Sequence, residues 1–206
     1  MEMNFDINEV VKNLEKKDYT VHFFETHEEA AEYIAGRIDG KKVGFGDSKT
    51  LLGMGMVEKL KENPANEVHH PDYPPEGMCF NDEARVCLTA EVFLSSVNAM
   101  TKDGMLVNID STGNRVAGTL FGPSKVFFVV GINKICDNLD EAIERARHHA
   151  APINAKRHGY NTPCAKTGKC YDCNSPDRIC NALVVHYKKM KYTDAEVVLI
   201  GEELGF

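Results

Sequence analysis

The sequence predicts a single α/β domain of three layers built on a mainly parallel sheet, and three observations carry that expectation. Strand-sized apolar runs alternate with helical patterns along all 206 residues, the order in which crossover helices build parallel sheets. One run, Lys125 to Gly131 (KVFFVVG), is apolar at nearly every position, the pattern of a strand covered on both faces. No internal repeat, low-complexity stretch or linker divides the chain. Its length supports one sizeable core, so residues 1–206 are expected to fold as one domain.

Each element has its own local cause. Asp6 to Lys17 reads as a helix capped by Asp6, with Ile7, Val10, Val11 and Leu14 on one face. Thr20 to Phe24 is a short strand. Thr26, with Glu29 three residues on, opens a capping box for a helix to about Ile38. Lys41 to Phe45 is a buried strand and Thr50 to Glu62 a helix. Residues 63–80 hold four prolines, which predicts an irregular excursion or a short edge strand with a long loop. Asn81 to Thr89 is helical. Val92 to Val97 and Met105 to Ile109 are strands that the Lys102-Asp103-Gly104 turn would join as a hairpin. Asn138 to His149 starts acidic and ends basic, as the helix dipole favours. Val197 to Gly201 supplies the last strand.

Composition excludes several function classes. A net charge of −7 argues against a nucleic-acid partner, whose affinity comes from Lys and Arg neutralising phosphates. It leaves room for a small anionic ligand. No apolar run approaches the ~20 residues of a membrane helix. The amino-terminal stretch MEMNFDINEVVKNLEKK lacks the cationic head and apolar run of a secretory signal, so a cytoplasmic protein without membrane contact is expected. Seven cysteines, an odd count, do not suit a secreted disulfide framework. Cys79, Cys87 and Cys136 are scattered and read as buried apolar thiols.

The other four are clustered. Residues 163–181 read PCAKTGKCYDCNSPDRICN, placing Cys164, Cys170, Cys173 and Cys180 in a Cys-x5-Cys-x2-Cys-x6-Cys spacing within a segment, 161–182, of the same domain. A Cys-x2-Cys pair can aim two sulfurs at one ion, and the outer two can fold back to complete a four-thiolate shell. Lys166, Lys169 and Arg178 place positive charge where thiolates would be stabilised. Four reduced thiols, or labile disulfides, are the plainer alternative. Zinc ribbons usually show two Cys-x2-Cys knuckles, so the single knuckle and uneven spacing favour a [4Fe–4S] cluster over zinc.

Two loops are candidates for a ligand. In KKVGFGDSKTL, Gly44 and Gly46 permit close backbone approach, while Ser48 and Thr50 bring hydroxyls to a helix start. A turn whose Ser48 only caps the helix explains the same residues. The second loop follows a strand: Asp110, Gly113, Asn114 and Arg115, with Thr112 between, lie where ligands sit in open α/β sheets. The bland reading has Asp110 and Asn114 shaping a turn while Arg115 pairs with an acidic neighbour. The adjacent pairs His69-His70 and His148-His149 diverge too far to chelate, and Glu202-Glu203 reads as a strand end in solvent.

Several segments together resemble the lactate-utilization (LUD) domain family. They include Asn98-Ala99-Met100-Thr101, Leu106-Val107-Asn108-Ile109-Asp110, Gly113-Asn114-Arg115-Val116-Ala117, Phe121-Gly122-Pro123 and Asn133-Lys134-Ile135, together with the four-cysteine segment and the tail Ile200 to Gly205. The resemblance implies a Rossmann-like sheet of the ribose-phosphate isomerase and CoA-transferase group. It also implies a free-standing component or accessory of lactate or 2-hydroxy-acid oxidation, working with electron-transfer partner proteins. Whether the chain is an enzyme, and whether copies of it form a homo-oligomer, the residues leave open. A non-enzymatic ligand-binding or assembly protein with a structural zinc is the second reading. A CoA-transferase or isomerase is the third, with Glu91 as the candidate nucleophile. Against an isomerase, the position matching that group's catalytic Asp is Asn98, which cannot take a proton.

Overall fold

The strand Lys125–Gly131 shows why the sheet is buried on both sides. From Val126 onward every residue is buried, with Val126, Phe128 and Val130 in one apolar cluster and Phe127 and Val129 in another. A strand's side chains alternate, so a continuous apolar run feeds two cores at once. The computed structural model describes residues 5–206; the first four residues of the stretch read for a secretory signal lie outside them.

The chain begins α1 (Ile7–Glu15), β1 (Thr20–Phe24), α2 (His27–Ala35), β2 (Lys42–Phe45), α3 (Lys49–Gly53), α4 (Met56–Lys61) and β3 (Glu67–His69). Then come α5 (Phe80–Cys87), β4 (Val92–Ser95), β5 (Ala99–Thr101), β6 (Leu106–Asp110), α6 (Asn114–Leu120) and β7 (Lys125–Gly131). It ends with β8 (Ile135–Cys136), α7 (Leu139–Arg145), α8 (Ala151–Arg157), α9 (Pro163–Thr167), β9 (Ala182–His186) and β10 (Asp194–Ile200). Six strands form the main sheet in the order β1-β10-β7-β4-β2-β3, every neighbouring pair parallel. Helices cover both faces, giving the three-layer Rossmann-like architecture: α2, α3 and α4 supply one core, and α1 with the small second sheet supplies the other. No helix among the described residues is long and apolar enough to cross a membrane.

The second sheet, β8-β5-β6-β9, departs from the expected hairpin. β6 does form an antiparallel hairpin, but with β5, whereas β4 stays in the main sheet between β7 and β2. Residues 96–98 carry the chain from one sheet to the other. The single helix expected over 50–62 breaks into α3 and α4 at Gly55, which takes a left-handed φ of 65°. The helix expected to end at His149 continues: α7 passes through a π-helical turn, Ala146–Ala150, into α8. Of the three scattered cysteines only Cys87 is buried. Cys136 is half-buried and Cys79 exposed, because Cys79 starts α5 and its thiol donates to Asp82 Oδ2 at 3.0 Å.

Strand order reverses between β2 and β4: from β2 the chain moves outward to β3, and from β4 it proceeds the other way to β7 and β10. The carboxyl ends of strands flanking such a reversal leave a crevice.

Candidate functional site

A cleft of about 490 Å³ occupies that crevice. Its floor is made of residues that directly follow strand ends: Asp47 to Thr50 after β2, Asp72 after β3, Ser96 to Asn98 after β4 and Lys134 after β7. The second sheet contributes Asp110, Asn114 and Arg115, while Ala151, Asn154 and Arg157 of α8 close the side. The tail after β10 brings Gly205 and Phe206.

Six of the candidate ligand residues thus meet in one place: Ser48, Thr50, Asn98, Asp110, Asn114 and Arg115. Their bonds show both roles at once. Ser48 caps α3, its Oγ accepting from Leu51 N–H at 3.4 Å, and also lines the cleft. Asp110 accepts from the N–H groups of Gly113 (2.7 Å) and Val116 (3.3 Å) and pairs with Arg115 Nε (3.4 Å). Arg115 Nη2 donates to Asn98 Oδ1 (3.1 Å) and the Ile109 carbonyl (2.5 Å), leaving Nη1 with no protein partner among the described residues.

The glycines work by packing. A Cβ on Gly44 would stand 2.5 Å from the Cys87 carbonyl oxygen, and one on Gly46 would press Arg115 Cγ at 2.9 Å. Gly113 caps α6 in a left-handed conformation. None of the three lines the cleft, although Gly46 is what lets Arg115 lie flat against β2.

The sequence reading missed Lys134. Its side chain is 3% exposed, yet among the described residues it meets no carboxylate. Nζ donates only to Thr50 Oγ1 at 2.7 Å and Ser96 Oγ at 2.9 Å. Burial first, then the charges of Arg145 and Arg115, push its pKa from the ordinary 10.5 down to about 7. Arg157 was missed as well; it pairs with Asp47 at 3.2 Å. Asp72, partly desolvated at the cleft rim although still exposed, and set beside Asp47, is pushed up to about 6. Glu91 lies at the opposite end of the sheet, where it pairs with Lys41 at 2.9 Å and accepts from Lys42 N–H at 3.3 Å.

None of the four clustered cysteines lines the cleft, but Cys164 and Cys180 pack behind its wall. Cys164 is buried with Ala151, Ala155 and Ile179, with Cys180 packed alongside, and Ile179 lines the cleft. Burial and the neighbouring charges of Cys170, Cys164 and Cys173 raise the Cys180 pKa, so the four thiols share one neighbourhood. Arg178 ties the loop by donating to the carbonyls of Cys173 and Cys180 (3.0 Å for the latter). Among the described residues no three of these sulfurs lie within 4.8 Å of one another. A closed zinc tetrahedron, with Zn–S of about 2.3 Å, holds its sulfurs about 3.8 Å apart. A four-iron cluster is bulkier and sets its thiolates wider. The described residues with three candidate ligand atoms inside that distance are His27, Glu28 and Glu202, where Glu202 is not free in solvent but bonded to His27.

The fold and the cleft agree with what the chain is similar to. The crystal structure of a DUF162 family protein from Deinococcus radiodurans superposes with a TM-score of 0.50 at 12% identity, covering 94% of this chain and 95% of that one, a likeness of fold. No curated protein matches. The LUD domain family model matches residues 7–200, nearly the whole chain and both halves of the cleft; the chain belongs to the LUD domain family.

Proposed function

We propose that this protein holds a small carboxylate-bearing ligand in the cleft and serves as a component or accessory of lactate or 2-hydroxy-acid oxidation in the cytoplasm. One observation carries the reading: among the described residues Lys134 is a buried amine with hydroxyl partners and no counter-charge, next to an Arg115 edge that no protein group occupies. A buried charge needs a partner, and a ligand carboxylate would supply it. Its arrival would raise the Lys134 pKa from about 7, so binding near neutral pH should take up a proton.

Calorimetric titration with lactate and with pyruvate, in two buffers of different ionisation enthalpy, tests this. Binding with proton uptake is expected. Arg115→Gln should weaken it roughly 10- to 100-fold, the worth of one charge-assisted hydrogen bond. Equal affinity in the variant would overturn the reading.

The cysteine segment would hold a [4Fe–4S] cluster through Cys164, Cys170, Cys173 and Cys180. Its support is the shared neighbourhood of four free thiols together with the single Cys-x2-Cys knuckle and uneven spacing of the segment. When bound, such a cluster supplies one-electron transfer with a partner protein. Protein made without oxygen should carry iron and sulfide in equal amounts; stoichiometric zinc would sink the cluster.

A further inference from the structure

We infer that Lys134 is a nucleophilic amine that forms an imine with the carbonyl of a 2-oxo acid bound in the cleft. The inference rests on the carboxylate reading above for the ligand's anchor and goes beyond it in making one form of the ligand covalent.

Three features of the site argue for it. First, a lysine that only filled space here would be a poor choice, since Met has similar volume and carries no charge to desolvate. Second, Lys134 opens on the cleft in company with Thr50 and Ser96, whose hydroxyls are its hydrogen-bond partners and also line the cleft. Hydroxyls can accept the amine's hydrogens in its neutral state, whereas a protein carboxylate fixed against Nζ would hold the proton on permanently. Third, the charged groups acting on Lys134 are Arg145 and Arg115, both cations, and burial adds to them. A desolvated lysine beside other cations is the setting in which an amine is neutral and nucleophilic near neutral pH.

The step balances without an oxidant. The Nζ lone pair attacks C2, a C–N bond forms, and the carbonyl π pair moves to oxygen, which takes a proton to give a carbinolamine. Nitrogen then loses a hydrogen, the hydroxyl leaves as water, and C=N remains. Thr50 and Ser96 are placed to pass the proton from nitrogen. Arg115 Nη1 is the group available to the carboxylate. A 2-hydroxy acid, having no carbonyl, can bind only non-covalently.

Pyruvate with cyanoborohydride tests the assignment on the full chain by intact mass and peptide mapping. One reduced pyruvyl adduct on Lys134 is expected, its yield rising with pH above about 7 as the amine of the bound form loses its proton. Lys134→Arg should lower adduct yield at that peptide at least tenfold, while the surface lysines serve as the internal reference. No adduct, or an adduct spread over surface lysines alone, overturns the inference; both outcomes are read from the wild-type chain and need no folded variant. Lactate calorimetry separates the two readings. Lactate binding with no pyruvate adduct defeats the imine and leaves the carboxylate site standing, and absence of both defeats both.

Discussion

Replacing Lys134 by Met should make the protein more stable at low pH and less stable at high pH, a change of sign that only a buried, charge-stripped lysine produces. The folded-state pKa of about 7 lies below the unfolded 10.5. Below pH 7 both states carry the charge, so the full cost of burying it, on the order of 5 kcal/mol, weighs against folding. Between pH 7 and 10.5 the native state has released its proton and the unfolded chain still holds one. Wild-type stability therefore climbs by up to about 1.4 kcal/mol per pH unit across that window. The Met variant has no such slope. It instead leaves the Ser96 hydroxyl without a partner and Thr50 with only its 3.4 Å bond to the Leu204 carbonyl, a loss of about 1–3 kcal/mol. The variant should thus be more stable by about 2–4 kcal/mol at pH 6, and the two stability curves should cross near about pH 9. Urea unfolding of both proteins at pH 6, 8 and 9.5 measures the difference, in which all other titrating groups cancel. Parallel curves would refute the depressed pKa and, with it, the neutral amine.

Two further outcomes follow from the same geometry. Gly44→Ala drives a methyl to 2.5 Å from the Cys87 carbonyl, a backbone atom that cannot swing away; a loss of about 1–3 kcal/mol is expected, seen as a Tm lower by several degrees. Asp72 holds its proton to about pH 6 in the folded chain, against 3.8 ordinarily, so it contributes a fall in stability as pH rises from about 4 to 6; Asp72→Asn should flatten that part of the Tm–pH curve, and an unchanged curve would place Asp72 in ordinary solvent.

How much of this was legible in the sequence depended on whether the cause was local. β1 and β7 occur at the expected residues, Thr20–Phe24 and Lys125–Gly131, because in each an apolar-rich run bounded by polar residues marks both ends, at the sheet edge for β1 and in its buried centre for β7. Asp6 and Thr26 cap their helices as read, since capping involves residues two or three apart. The second sheet was not legible. β5 and β8 have three and two residues, too few for any periodicity, and their pairing is fixed by contacts across the fold. The site divides the same way. Ser48, Thr50, Asp110 and Arg115 announced themselves as polar clusters after strands, but the bond between Lys134 and Thr50 spans 84 residues. The available signal was a lone cation between Ile132 and Ile135, just past the most buried strand.

The sequence says nothing of where the cysteine segment lies relative to the ligand loops, and its packing sets it behind the cleft wall. α8 is one helix with two working faces. Ala151 and Asn154 face the cleft, whereas Pro152, Ile153 and Lys156 line a second hollow that includes Cys164. A helix is about 10 Å across, so the ligand site and the thiols are separated by little more than one layer of backbone. The π-helical turn Ala146–Ala150 ends where α8 meets the cleft, and such turns often mark functional positions in a helix. Ile179 closes the connection. It lines the cleft, packs against Cys164, and precedes Cys180 in the chain. A change in the spacing of Cys164 and Cys180 therefore bears on Ile179, a residue of the cleft wall, because close-packed interiors transmit displacement instead of absorbing it.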